Sequence, residues 1–296
     1  MLDLTRLRVL VAVARHGSVT AAAEALHYAQ PSVSHHLARL EIETGSQLLQ
    51  RVGRGVRLTP AGRLLAERGE EIIGRLDAAE AELAEHTGLC AGRVRLAAFP
   101  SALGSFVPRA AARFAAAHPD VELQFVEAEP PAALRLLRSG DADLAVVFDY
   151  GPPTGADPAG VRLTPLFTEG LHLVVPPGRE GALADFARSR WIAGCERCRE
   201  SLVRRCAAAG FEPDIAFTTD DYVAVQALVA AGLGVTILPD LALLAHRSPA
   251  VATIPLEGGE RRVLAAAYGV PPDPPAPARL LEFLSESHSV MENSGG

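Results

Sequence analysis

Lysine is absent from this 296-residue sequence, so all 28 basic residues are arginine, a bias that fits a GC-rich genome. Cysteine is scarce, and Cys90, Cys195, Cys198 and Cys206 are too few to suggest a disulfide framework in a chain of this length. Long apolar runs are missing as well. No stretch of about eighteen uninterrupted apolar residues exists to span a bilayer. The chain start lacks the basic, apolar and small-residue order of a secretory signal, so a cytoplasmic protein without a membrane partner is expected. Gly-x-Ser-x-Gly elbows, Walker loops, His-Glu-x-x-His pairs and Rossmann glycine fingerprints do not stand in a fitting context, so neither an enzyme nor a cofactor is expected.

What is present is a globular composition, with 49% hydrophobic and 21% charged residues. The length suits two or three compact units, each with its own core. The formal charge of −7 is unevenly divided. Residues 1–60 carry seven arginines against Asp3, Glu24, Glu41 and Glu43, a net +3, which leaves −10 on the rest. A basic head on an acidic body is expected where one segment alone meets phosphate.

Within the head, Leu7, Leu10, Val11 and Ala14 recur at the spacing of one helical face, and Gly17 suits the helix C-terminus. A short second helix follows from Ser18 or Thr20 as cap to Leu26. A third begins near Gln30-Pro31, where proline is tolerated in a first turn, and turns Val33, Leu37 and Leu40 inward. Its outward face starts with Gln30, Ser32, Ser34 and His35. Amide, hydroxyl and imidazole groups there suit base edges or phosphates in a major groove, although they equally suit an ordinary solvated helix. Two short strands then flank an Arg54-Gly55 tip, a wing whose arginine could enter a minor groove.

Taken in order, Gly17-Ser18, Ala21-Ala22, Leu26, Gln30-Pro31-Ser32-Val33-Ser34, Leu40-Glu41, Gly45, Arg51 and Leu58-Thr59-Pro60-Ala61-Gly62 resemble the winged helix of the LysR family of transcriptional regulators. Ala29 departs from the usual Ser or Thr cap, and Leu49 from the usual Phe. The resemblance implies base-proximal roles for Gln30, Pro31, Ser34 and His35, and backbone or minor-groove contacts for Ser32, Arg51 and Arg54. His35 stands where many relatives carry Arg, which offers phosphate a weaker attraction and could make affinity depend on pH.

Thr59 and Pro60 suit the start of a long helix that nothing breaks before Gly88. Leu65, Ile72, Leu76, Ala79 and Leu83 form an apolar seam at coiled-coil spacing, which could pack on its own chain but better suits a dimer, or a tetramer built from dimers. Two wings on a dimer would read an interrupted palindrome in double-stranded DNA. RNA polymerase is a further partner that the reading allows.

From Arg93 onward, strands and helices alternate, which implies parallel sheet with crossover helices. Strands are expected at 94–99, 121–126, 143–148, 171–176, 191–194, 234–239 and 263–268. Helices are expected from Ser101 or Ser105, over 132–139, about 199–209, 221–231 and near 278–285. Gly140-Asp141-Ala142-Asp143-Leu144 and Ala231-Gly232-Leu233-Gly234-Val235 extend the resemblance to the family's two-lobed, periplasmic-binding-protein-like (type 2) effector domain. The expected whole is an α/β chain with a winged helix-turn-helix over 1–60, a linker and dimerisation helix over 61–90, and an effector domain over 91–296. Lobe I takes about 91–161 and 268–296, and lobe II about 162–267.

Ligands in such sheets sit beyond strand carboxyl ends, near free helix N–H groups. That rule selects Pro100, Ser101, Ala102, Phe148, Asp149, Thr168, Cys195, Thr218, Thr219 and Asp220 for a small-molecule effector. Ser101 and Thr219 are the leading hydrogen-bonding candidates, with plain helix caps as the alternative. Asp149 and Asp220 would oppose a carboxylate, and Pro130-Pro131 replaces a hydroxyl-rich turn common among relatives.

Cys195-Glu196-Arg197-Cys198 with Cys206 lies where peroxide-sensing relatives carry their redox pair, and Arg197, Arg199, Arg204 and Arg205 could favour thiolate. The family's sensor spacing is not reproduced, and a C-x-x-C pair without a second pair or a nearby His falls short of zinc's four ligands. Inert thiols, a redox-responsive regulator and a metal sensor all remain open. A cytoplasmic ligand-binding module without DNA function is the rival outside regulation, and it leaves the Gln30-Pro31 helix and the Arg54 wing unexplained.

Overall fold

A computed structural model describes residues 2–52, 55–86, 92–151, 160–269, 271 and 273–292. The chain divides into two compact units, residues 1–90 together with 138–141, and the remainder.

In the first unit, α1 (Leu4–His16) is capped by Asp3, which accepts from the Arg6 N–H, and stops at Gly17 in the left-handed region. Helix α2 (Val19–Ala25) is capped by Ser18 Oγ, and α3 (Gln30–Thr44) ends at left-handed Gly45. Ala29 caps α3 without a side-chain bond, as its methyl must, which forgoes about 1 kcal/mol of helix start. Strands β1 (Leu49–Val52) and β2 (Gly55–Leu58) pair as an antiparallel wing. Leu10, Ala22, Val33, Leu37, Leu40 and Leu48 form the core of this unit, closed by Ala66 of α4 (Pro60–His86).

Two side chains fix the wing to the helices. Glu41 Oε1 accepts from the N–H groups of Leu48 and Leu49, at 2.8 and 3.1 Å. The Thr59 hydroxyl donates to the Gln47 carbonyl at 2.7 Å and accepts from the Gly62 N–H at 3.0 Å. A Cβ at Gly62 would lie 2.0 Å from the Leu48 carbonyl oxygen, so the closing Thr-Pro-Ala-Gly turn has no room for a side chain there.

The second unit opens with β3 (Arg93–Ala98), α5 (Pro100–Leu103), α6 (Val107–Ala117), β4 (Glu122–Glu127), α7 (Pro130–Arg138) and β5 (Leu144–Asp149). It continues through β6 (Val161–Val175), β7 (Arg190–Ala193), α8 (Glu196–Ala208), β8 (Asp214–Thr218), α9 (Tyr222–Ala230), β9 (Thr236–Pro239), α10 (Asp240–Ala245), β10 (Ala252–Tyr268) and α11 (Pro275–Glu292). A six-stranded sheet runs β4-β3-β5-β10-β6-β9, and β7 pairs with β8 beside it. Lobe I packs Leu96, Phe99, Phe106, Phe114, Phe148 and Leu280, whereas lobe II packs Leu173, Phe186, Trp191, Leu202, Cys206 and Val235.

This arrangement corrects the expected parallel sheet. Strands β3, β4 and β5 are parallel, as are β7 and β8, but β10 runs antiparallel to β5 and to β6, and β6 runs antiparallel to β9. Strands β6 and β10 are far longer than the apolar segments that mark them in sequence, because their other halves are polar. Residues 262–266 of β10 pair with β5, and residues 171–174 of β6 pair with β9. The two strands therefore carry the chain between lobes within their length, near 168–170 and 256–261, not at 161/162 and 267/268. Strand β8, α10 and the early starts of α8 and α11 were also not expected.

Candidate functional site

On α3, the buried Val33, Leu37 and Leu40 leave Gln30, Pro31, Ser32, Ser34 and His35 exposed together, with exposed Arg39 one turn beyond His35. This places polar and basic groups along one surface of a helix anchored by its opposite face. Arg39 belongs to the same surface, and its spacing of four from His35 was the available signal. Arg51 lies in β1, and Arg57 is exposed on β2. Arg54 lies outside the described residues. Along α4, Leu65 packs against the winged-helix core, so this seam residue has a partner in its own chain, and Leu76 is half-buried. Ile72, Ala79 and Leu83 are exposed.

In the second unit, a cleft lies between the lobes, lined by residues that include Phe99, Ser101, Glu129, Tyr150, Cys195 and Arg261. Pro100, Phe148, Thr219 and Asp220, also expected, line it too. Four expected residues do not. Ala102 is packed in the lobe I core, and Thr168 faces solvent on β6. Thr218 ends β8 in register with Ala193. Asp149 accepts both arms of Arg262, at 2.9 and 2.6 Å, so its charge is already answered.

Ser101 and Thr219 are not helix caps. Phe99 holds the cap position of α5, and Asp221 caps α9 by accepting from Val223 and Ala224 N–H groups. Thr219 Oγ1 accepts from the Asp221 N–H, and Ser101 Oγ accepts from Arg261 Nη2 at 3.3 Å.

Arg261 forms the cleft floor and is 2% exposed. Its Nε donates to Glu169 Oε1 at 2.8 Å, and Glu169 Oε2 accepts from the Leu241 N–H at 2.8 Å. The guanidinium lies 4.3 Å from the Phe148 ring centre and 4.9 Å from that of Phe99. Burial, the largest single influence, works against the arginine's charge, but Glu169 together with Tyr150 and Cys198 holds the pKa above the ordinary value. Burial likewise pushes the Glu169 carboxyl up, against the pull of Arg261. Arg261 and Glu169 join the two crossing strands, and the start of the expected strand at Val263 hid this pairing. Extended back through β10, the alternation places Arg261 with buried Val263 and Ala265.

The cysteines separate in space. Cys195 caps α8, its thiol 2.9 Å from Cys198 Sγ, and the Tyr150 hydroxyl donates to Cys198 Sγ at 3.3 Å. Cys206 is fully buried in the lobe II core, away from any thiol partner among the described residues, and Cys90 lies outside them. Sharing a hydrogen bond with Cys198, together with burial, raises the Cys195 thiol, whereas that same bond lowers Cys198 with help from Arg261 and Tyr150. The neighbouring arginines expected to favour thiolate are engaged elsewhere: Arg197 donates to the Phe148 carbonyl, Arg204 to that of Tyr150, and Arg205 to those of Gly258 and Glu260. Arg199 is exposed, and the cation that acts on Cys198 is Arg261. Glu129, just before the Pro130-Pro131 start of α7, points toward Cys195, and burial raises its carboxyl.

No helix among the described residues is long and apolar enough to cross a membrane. Residues 4–63 match a family model described as a bacterial regulatory helix-turn-helix protein of the lysR family, and residues 88–289 match the LysR substrate binding domain. The chain is 30% identical over 291 residues to the HTH-type transcriptional regulator YcgK of Bacillus subtilis (strain 168), covering 89% of this chain and 87% of that protein. It is 29% identical to a probable hydrogen peroxide-inducible genes activator of Mycobacterium avium, over 97% of this chain and 89% of the other. The fold resembles crystal structures of the LysR regulator CbnR alone (TM-score 0.65, 23% identity, 97% of this chain and 99% of that one) and with its target DNA (0.64, 23%, 97% and 100%). A ligand-binding module without DNA function is thereby overturned, and the chain belongs to the LysR family of DNA-binding transcriptional regulators.

Proposed function

We propose that the cleft between the lobes takes a small effector, and that its occupancy changes how a dimer or tetramer of this chain engages an interrupted palindrome in double-stranded DNA. The observation that carries the reading is the cleft itself, where Ser101, Thr219 and the Arg261 floor meet between lobes that share two long paired strands. Polar groups converging in a concave, aromatic-lined space suit a small ligand, and paired crossing strands suit a hinge. Gln30, Pro31, Ser34 and His35 would lie against base edges, with Ser32, Arg39, Arg51 and Arg54 on the phosphate or minor-groove side. The seam of α4, through Ile72, Leu76, Ala79 and Leu83, supports pairing of two chains. RNA polymerase would meet the assembly at a promoter, in the cytoplasm.

The test is fluorescence anisotropy of the full-length protein on DNA from upstream of its own gene, against a scrambled duplex, over a salt series. A specific regulator gives sequence-selective binding whose logarithm falls steeply with the logarithm of salt, and Gln30→Ala weakens the specific complex alone. Equal, feeble binding to both duplexes with and without cell metabolites defeats the reading.

A further inference from the structure

Beside the Arg261 floor, one corner of the cleft collects a different chemistry. Cys195, Glu129 and Asp220 each bring a donor atom to within 4.8 Å of the others, and Cys198 Sγ lies 2.9 Å from Cys195 Sγ. They come from three places: Glu129 precedes α7 in lobe I, Cys195 and Cys198 form the first turn of α8 in lobe II, and Asp220 precedes α9 in lobe II. Glu129 Oε2 is buried and has no hydrogen-bond partner among the described residues, although the Cys195 thiol acts on the same carboxyl. A buried acceptor left open is costly in a folded protein and is ordinarily answered by a proton donor or a cation.

We propose that these four side chains form a binding site for a thiophilic divalent cation of the zinc class, which would tie lobe I to lobe II across the cleft. The proposal rests on the cleft reading above and deepens it by naming the ligand chemistry. Two sulfurs and two carboxylate oxygens make a four-ligand set that suits zinc and not magnesium or calcium, which prefer oxygen alone. Metal–donor distances of about 2.0 to 2.3 Å place donors around a tetrahedral ion roughly 3 to 4 Å apart, so Glu129, Cys195 and Asp220 must draw in from their present spread of up to 4.8 Å, and Cys198 must turn with Cys195 toward the carboxylates. The C-x-x-C pair, short of ligands in the sequence, gains its third and fourth from loops distant in the chain. Arg261 acts on Cys198 but is itself paired with Glu169, so two thiolates and two carboxylates still leave the site a negative charge for the ion. On binding, both S–H bonds ionise, the protons pass to solvent, and two sulfur–metal bonds form with no oxidant required.

The test uses reduced, chelator-treated full-length protein titrated anaerobically with cobalt(II), followed by zinc(II) displacement. Expected are one cobalt per chain, a near-ultraviolet sulfur-to-cobalt charge-transfer band and the visible absorption of four-coordinate cobalt, all abolished by zinc. Cys195→Ser and Cys198→Ser should each weaken the charge-transfer band. Glu129→Gln and Asp220→Asn should keep a sulfur band but weaken binding by about tenfold or more, the least that loss even of a supporting group produces. Cys206→Ser should leave the spectrum unchanged, and far-ultraviolet circular dichroism confirms that each variant is folded. Absence of the band in folded wild-type protein overturns the site, as does a band that survives in both cysteine variants. So does a Cys195–Cys198 disulfide that forms on mild oxidation equally well with and without zinc. Because the readout is cobalt absorption and not DNA binding, failure of the regulatory reading and failure of the metal site are separable.

Discussion

At the scale of single residues, Arg261 occupies a demanding environment, a charged group only 2% exposed. A guanidinium out of water is tolerated when its charge is paired and its hydrogen bonds are made, and here Glu169, Ser101 and two aromatic faces supply both conditions. Removing the cation alone strands a buried carboxylate. Arg261→Met should therefore cost about 3–5 kcal/mol in the stability of the second unit. Arg261→Met with Glu169→Gln should recover much of that loss, because the glutamine oxygen still accepts from the Leu241 N–H without a net charge. Trp191, the single tryptophan, is buried in the lobe II core, so urea unfolding followed by its fluorescence reports on this unit. A single variant within about 1 kcal/mol of wild type, the usual range of an exposed pair, would show that the pairing contributes little. Nothing local in the sequence identifies this residue as buried, since its partner lies 92 positions away and an Arg-Arg pair ordinarily marks a solvated edge.

At the scale of elements, legibility followed the local signals. The winged helix is readable because each boundary is written in a few residues: Gly17 and Ser18, Pro31, Gly45, and Thr59 to Gly62. Strands β6 and β10 are readable only where they are apolar, since their pairing with each other, not alternation in either one, holds Arg162–Thr168 and Glu260–Arg262 in strand conformation. The turn of β6 toward lobe II has a second fastening, also invisible in sequence. Asp240, at the start of α10, accepts from the Gly170 N–H at 2.7 Å and lies 2.6 Å from His172 Nε2. Its bond with His172 holds the carboxyl below the ordinary value of 3.8, with the Gly170 N–H adding to the effect. A carboxylate favoured in the folded state contributes stability above its unfolded pKa and loses it as pH falls through the depressed folded value. Asp240→Asn should therefore lower the urea midpoint at neutral pH, and the gap from wild type should close below about pH 3.8. The effect should be modest, because the side chain is half exposed. A gap that stays constant into acid would mean that the carboxylate's charge has no part in the fastening.

At the scale of the whole chain, the distribution of charge argues for pairing. The first sixty residues carry a net +3 against −10 on the remainder, so one head has few cations with which to hold a polyanion. Two heads acting together double the number of phosphates neutralised, and with it the steepness of the salt dependence. The long α4 offers the means. Gly69 lets α1 cross closely, since a Cβ there would meet Leu7 and Val11 at 2.9 to 3.0 Å, and beyond that crossing Ile72 and Ala79 turn an exposed apolar face outward. Ile72 is 46% exposed, so replacing it by glutamate should leave the chain folded, while two facing carboxylates would oppose a seam between copies. Ile72→Glu should shift sedimentation at micromolar concentration from dimer or tetramer toward monomer. The slope of the logarithm of DNA affinity against the logarithm of salt should fall by about half. An unchanged sedimentation profile would place the subunit contact elsewhere, and a monomer that kept the full salt slope would mean that a single head suffices for the phosphate contacts.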